Sequence, residues 1–189
     1  MTNPIYYLPG HGGRLETGLG EGLISRGFAV TGRETIGEFR TLPFSEQVAI
    51  VAEDLRTSYW YADARVIANS FGAYLFLHAQ ILLDPYPGKV LLLSPILGEF
   101  LTEDSKIGFV PPQAGKLLNL AKSGSYPAPK QCQIHVGALD WQSIPEVVVE
   151  FAKRVGMEVT VVAETGHMLG KTYVGEVLDR WLQPSGERQ

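Results

Sequence analysis

The stretch "ARVIANSFGAYLFLH", residues 64–78, sets Asn69-Ser70 between two apolar runs of different character. The first, Arg65–Asn69, carries β-branched Val66 and Ile67 and reads as a strand; the second, from Phe71 onward, is rich in Ala, Leu and Phe and reads as a helix. Ala68 and Gly72 are small, so the backbone can turn tightly on either side of Ser70. Ser70 then has two readings. It is a hydroxyl that caps the helix, or it is a nucleophile lifted at the end of a strand.

Working outward, six β-type runs alternate with helix-type runs: Ile5–Leu8, Phe28–Thr31, Arg65–Asn69, Lys89–Leu93, Gln133–Val136 and Glu158–Val162. Runs such as "VLLL" (90–93) and "VTVV" (159–162) are continuous and do not alternate, which predicts strands buried on both faces of a parallel sheet. Val48, Val51, Ala52, Leu55 and Tyr59 follow helical spacing, with Ser45 as the expected cap. Val148, Phe151, Ala152 and Val155 repeat the stripe between Pro145, suited to a first turn, and Gly156, suited to a last. Val174, Val177, Leu178 and Trp181 mark a final helix, and a weaker one, interrupted by glycines, falls near Thr17–Arg26. The alternation predicts a doubly wound, mainly parallel six-stranded sheet with helices on both faces.

The expected organisation is one domain over residues 1–184, with 185–189 a frayed tail. One stretch breaks the rhythm. Residues 95–130, long for a crossover and rich in Pro, Gly and Ser, carry apolar Phe100, Leu101, Ile107, Phe109 and Val110 and read as a short cap or lid.

The 189 residues carry a formal charge of −4, and no Lys/Arg run exceeds Lys153-Arg154, which argues against a nucleic-acid partner. The single Cys132 makes no internal disulfide. "MTNPIYYLPG" lacks the pattern of a secretory signal, and the apolar window 71–83 is too short to span a bilayer. A cytoplasmic protein is the expectation.

Ligands of such sheets bind beyond the carboxyl ends of the strands. There the chain places "PGHGG" (9–13), Ser70, "GALDWQSIP" (137–145) and "ETGHML" (164–169). A serine needs an imidazole to take its proton, the imidazole needs a carboxylate to hold its tautomer, and the tetrahedral intermediate needs backbone N–H donors. Serine, acid and histidine all fall at one sheet edge.

"ANSFG" (68–72) resembles the nucleophile elbow of the α/β-hydrolase superfamily, G-x-S-x-G, with Ala68 for the first glycine. The order Ser70, Asp140, His167 is that of the superfamily. "HGG" (11–13) resembles its oxyanion loop, and Gly166-His167 its histidine turn. The resemblance covers nearly the whole chain, beginning at what would be the family's third strand, as in its smallest lipases. It implies a minimal α/β-hydrolase fold in which Ser70 is nucleophile, His167 base and then acid, and Asp140 the orienter. Phe71 N–H would be one oxyanion donor and Gly13 N–H the other, with Gly12 and Arg14 as neighbours. A dehalogenase of the same fold needs an aspartate where Ser70 stands.

The implied activity is serine hydrolysis of a small-molecule ester or thioester, with a modest hydrophobic acyl or alcohol group and no cofactor. A ligand- or protein-binding module with little turnover is the other reading that the fold allows. Glu164 is the weaker substitute for Asp140. His78 and His135 read as satisfied core histidines, His11 as a hydrogen-bonded steadier of the Gly-rich loop, and Cys132 as an inert buried thiol. "YWY" (59–61) reads as core, no His/Cys/Asp spacing suggests a metal, and "GHGG" lacks the lysine of a phosphate loop.

Overall fold

The computed structural model describes residues 3–101 and 108–183. In chain order the elements are β1 (Ile5–Leu8), α1 (Leu19–Ile24), β2 (Val30–Gly32), α2 (Gly37–Thr41), α3 (Phe44–Ser58), β3 (Arg65–Asn69), α4 (Phe71–Gln80) and β4 (Lys89–Leu93). There follow β5 (Phe100–Leu101), β6 (Gly108–Phe109), α5 (Lys116–Lys122), β7 (Gln131–Gly137), α6 (Pro145–Val155), β8 (Glu158–Val162) and α7 (Lys171–Trp181). No helix among the described residues is long and apolar enough to cross a membrane.

Six strands form one sheet in the order β2-β1-β3-β4-β7-β8, every neighbouring pair parallel. From β1 the chain steps to β2 on one side, then returns to β3 on the other and moves steadily outward. The order therefore reverses between β1 and β3, and a crevice opens beyond their carboxyl ends. Ser70 and the Gly-rich loop both leave the sheet there.

Side chains alternate across the sheet, so each central strand feeds two cores. Tyr6, Leu8, Val66, Ala68, Val90 and Leu92 pack on the side covered by α3, α4, α5 and α6. Ile5, Tyr7, Ile67, Leu91 and Leu93 pack on the side of α1 and α7. In α4 every residue after Phe71 is buried, and Leu75, Phe76 and Leu77 are fully so. Burying each of these contributes about 1.5–3 kcal/mol. A Cβ at Gly72 would run into the Leu8 carbonyl, so only glycine lets α4 start pressed against β1.

Several boundaries differ from expectation. Ser45 does not cap α3; the helix begins at Phe44, and the Pro43 carbonyl accepts from Glu46 and Gln47 N–H, at 2.9 and 3.1 Å. Pro43 has no N–H of its own to satisfy at that end. Phe28 lies outside β2, because its N–H still bonds the Leu23 carbonyl and its ring lies under the Arg65 guanidinium. "VTVV" belongs to the edge strand β8, where Val161 is 45% exposed, and is not buried on both faces. Pro145 opens α6 and left-handed Gly156 closes it, as the spacing predicts.

The stretch 95–130 is not a plain loop. It holds the antiparallel pair β5–β6 and then α5, whose Leu117 and Ala121 join the core. Tyr74 Oη donates to the Pro112 carbonyl at 2.7 Å, and Phe100 packs edge-on against Trp141 with ring centroids 5.5 Å apart. Tyr126 Oη also donates to the Leu77 carbonyl at 3.0 Å, so the segment is fastened to the body at several points. Ile107 and the expected tail 185–189 lie outside the described residues. Tyr59 packs on Tyr6 and Trp60 on Tyr86 at the core, as expected of "YWY", whereas Tyr61 is exposed.

Candidate active site

Ser70 stands between β3 and α4 with φ 52° and ψ −118°, a conformation costly for any residue with a Cβ, about 1–3 kcal/mol. Its surroundings enforce it: its N–H donates to Leu93 carbonyl at 3.0 Å, and its carbonyl accepts from Tyr74 N–H at 3.2 Å. Ser70 occupies the cap position of α4, yet its hydroxyl makes no cap hydrogen bond. Instead Ser70 Oγ lies 2.8 Å from His167 Nε2. The capping reading is thereby removed.

His167 follows β8, and its Nδ1 lies 3.0 Å from both carboxylate oxygens of Asp140. Asp140 follows β7, and its side chain is wholly shielded from solvent. Its Oδ1 accepts Gln142 and Ser143 N–H at 2.9 and 2.8 Å, so the acid closes a turn on its own backbone. A carboxylate only accepts, so Nδ1 carries the imidazole proton and Nε2 is left to accept from Ser70 Oγ–H. Glu164 is exposed; among the described residues the carboxylate that hydrogen-bonds His167 is that of Asp140.

The acid and histidine loops are pressed together at Gly137, where a Cβ would strike the Thr165 and Gly166 carbonyls. Leu139 N–H donates to Thr165 carbonyl at 2.9 Å. The signal in the sequence for this contact is the glycine at the strand end, which marks close backbone approach.

The Gly-rich loop differs from expectation. Gly13 N–H is already donated, to the Gly10 carbonyl at 2.9 Å and to Thr35 Oγ1 at 3.0 Å, so it is not a free oxyanion donor. Gly12 N–H is likewise spent on the Thr35 carbonyl at 3.2 Å. Buried Thr35 also donates its hydroxyl to the Gly10 carbonyl, and it is this residue, not His11, that steadies the loop. His11 is exposed, with its ring edge-on to Phe71 at 5.7 Å. Partial desolvation, and then the nearby Arg40 guanidinium, lower its pKa from the ordinary imidazole value. Among the described residues, the amides of His11 and Phe71 donate to no other group. Gly10 lies against Ser70 and Asn69, which brings the His11 amide beside the elbow.

The other histidines are buried. His135 Nδ1 lies 2.7 Å from Tyr173 Oη, while His78 packs against Phe44 and Tyr74 with its Nε2 unpartnered. The expectation of a satisfied core histidine therefore fits His135 and not His78. Burial, helped by Arg180 for His135 and Lys116 for His78, lowers both pKa values to about 4. Cys132 is buried and its thiol pKa is pushed up by desolvation, then by Glu158. Among the described residues no group of His, Cys, Asp and Glu is arranged for a metal.

No protein-family model matches the chain, and no curated protein matches it. Solved structures do. Mouse alpha/beta hydrolase domain-containing protein 10 superposes with a TM-score of 0.66 at 15% identity, over 96% of this chain and 90% of that one. The ydeN gene product of B. subtilis gives 0.64 at 12%, over 96% and 99%. A carboxylesterase from the thaumarchaeon Nitrososphaera gargenis gives 0.63 at 12%, over 96% and 90%. The chain has the α/β-hydrolase fold. Within an α/β-hydrolase sheet, Ser70, Asp140 and His167 occupy the ends of β3, β7 and β8, and Ala68 packs fully buried where the elbow pattern has glycine.

Proposed function

We propose that the protein is a serine hydrolase that cleaves a carboxylic ester or thioester through an acyl-Ser70 intermediate. The observation that carries this reading is the Ser70 Oγ–His167 Nε2 separation of 2.8 Å with Asp140 on the other ring nitrogen. Ser70 Oγ attacks the carbonyl carbon as its proton passes to His167 Nε2. The carbonyl oxygen becomes an oxyanion, held by the amides of Phe71 and His11, the latter in place of Gly13. Collapse breaks the bond to the alcohol or thiol, which leaves with the proton from His167. Water then attacks the acyl carbon, giving one proton to His167; the bond to Ser70 Oγ breaks, His167 returns that proton to Oγ, and the acid departs.

Half-buried Phe71 beside the nucleophile, and Trp141 packed on Phe100 beside the acid, favour a hydrophobic acyl or alcohol group. The test is covalent labelling. A fluorophosphonate probe is expected to label the intact protein and to leave Ser70→Ala unlabelled. Equal labelling of the two would sink the assignment, and no label on either would favour a binding module. A panel of p-nitrophenyl esters and acyl thioesters of increasing chain length then reads the acyl preference.

A further inference from the structure

Ser143 is 1% exposed, lies between the acid and α6, and belongs to none of the three reacting groups. Its backbone N–H donates to Asp140 Oδ1 at 2.8 Å, and its hydroxyl donates to Ser94 carbonyl at 2.6 Å. Ser94 directly follows β4, the strand next to the one that Ser70 follows. It is held at a left-handed φ of 44°, with its N–H on the His135 carbonyl at 2.7 Å. Its own hydroxyl is buried without a partner, so what this turn supplies to the site is its carbonyl.

These bonds close on themselves. Ser70 N–H reaches Leu93 carbonyl; the next residue, Ser94, takes the Ser143 hydroxyl; Ser143 N–H holds Asp140; Asp140 holds His167; and His167 Nε2 returns to Ser70 Oγ. The nucleophile's backbone and the acid are thereby tied through a single side chain outside the triad. That tie joins the turn after β4 to the acid loop after β7, beside the backbone bonds from Ser94 N–H to the His135 carbonyl and from Leu139 N–H to the Thr165 carbonyl.

Resting on the triad reading above, we propose that Ser143 is the positioning residue of this site. Its hydroxyl, anchored on the Ser94 carbonyl, holds Asp140 at the depth from which His167 meets Ser70. Removing the hydroxyl frees the acid loop to shift, and a misplacement on the order of 1 Å costs up to about a hundredfold in rate. Because the tie touches no substrate, the loss falls on kcat and leaves KM unchanged.

The experiment compares wild type, Ser143→Ala and Ser143→Thr, the last keeping the hydroxyl. Steady-state kinetics on a p-nitrophenyl ester are expected to show kcat about ten- to a hundredfold lower for alanine, with KM within about twofold, and recovery in the threonine variant. A second readout needs no turnover: the downfield proton resonance of the His167 Nδ1–H, assigned by its loss in His167→Gln. It is expected sharp in wild type and Ser143→Thr, and shifted or broadened in Ser143→Ala. If the alanine variant does not fold, Ser143→Cys, close in volume and a weak donor, carries the same expectation. An unchanged kcat and resonance with only a lower Tm would mean a merely structural hydroxyl and would overturn the proposal, as would a threonine variant as slow as alanine. A wild-type spectrum without the resonance would overturn the triad reading itself, and the tie with it.

Discussion

Asp140 does more than carry charge: with Nδ1–H donated to it, His167 has one tautomer that can accept from Ser70. An Asp140→Asn side chain can turn its NH2 toward Nδ1, which favours the opposite tautomer and leaves Nε2 protonated. The expected result is a fall in kcat of about 10³–10⁴-fold on a chromogenic ester, with an unchanged circular dichroism spectrum. The grouping of Ser70, Asp140 and His167 was legible in the sequence because each follows a strand within five residues of its end, and strand ends can be read from apolar runs. Which amide of the Gly-rich loop is left undonated was not. Gly13 N–H is taken both by the Gly10 carbonyl three residues back and by Thr35 Oγ1, which approaches from beyond β2 and carries no local mark of doing so. His11 and Gly13 stand alike in the sequence; the turn bond to Gly10 and the partner across the loop separate them.

Thr35 is an inter-element staple, joining the turn after β2 to the loop after β1 through its N–H, carbonyl and hydroxyl. Thr35→Val keeps the shape and removes the hydroxyl alone. Stability in urea is expected to fall by about 1–2 kcal/mol, and kcat/KM to fall with it, because the loop that carries the His11 amide loosens. Loss of stability with full kcat/KM would leave the loop's catalytic part unsupported. At this scale β1, β3, β4 and β8 were legible to the residue, and α6 from its proline and glycine. The helix α5 was obscured by the Gly, Ser and Pro around it, although Leu117, Leu118, Leu120 and Ala121 hold a helical spacing. The exposure of β8 was illegible for another reason: an apolar run says that a strand is apolar, not whether a neighbour covers its far side.

For the whole molecule, His78 and His135 make acid costly. Both hold protons less tightly folded, with pKa values of about 4, than the unfolded chain does at about 6.5. Below pH 6.5 the unfolded chain therefore binds protons that the native one refuses, and stability declines until about pH 4, by up to about 1.4 kcal/mol per pH unit for each histidine. The urea midpoint is expected to drop between pH 7 and pH 5, and to drop less in His135→Gln; parallel drops would remove His135 from the account. The sheet order has a consequence for how the chain is made. The first strand, with all four residues buried, is central, and Ile5 pairs with Arg65, sixty residues later. At about 5–20 residues per second, that partner leaves the ribosome some 3–12 s after β1 does. Through that interval "IYYL" has one flank open, and the nascent chain must be kept from other strands until Arg65–Asn69 arrives to close it.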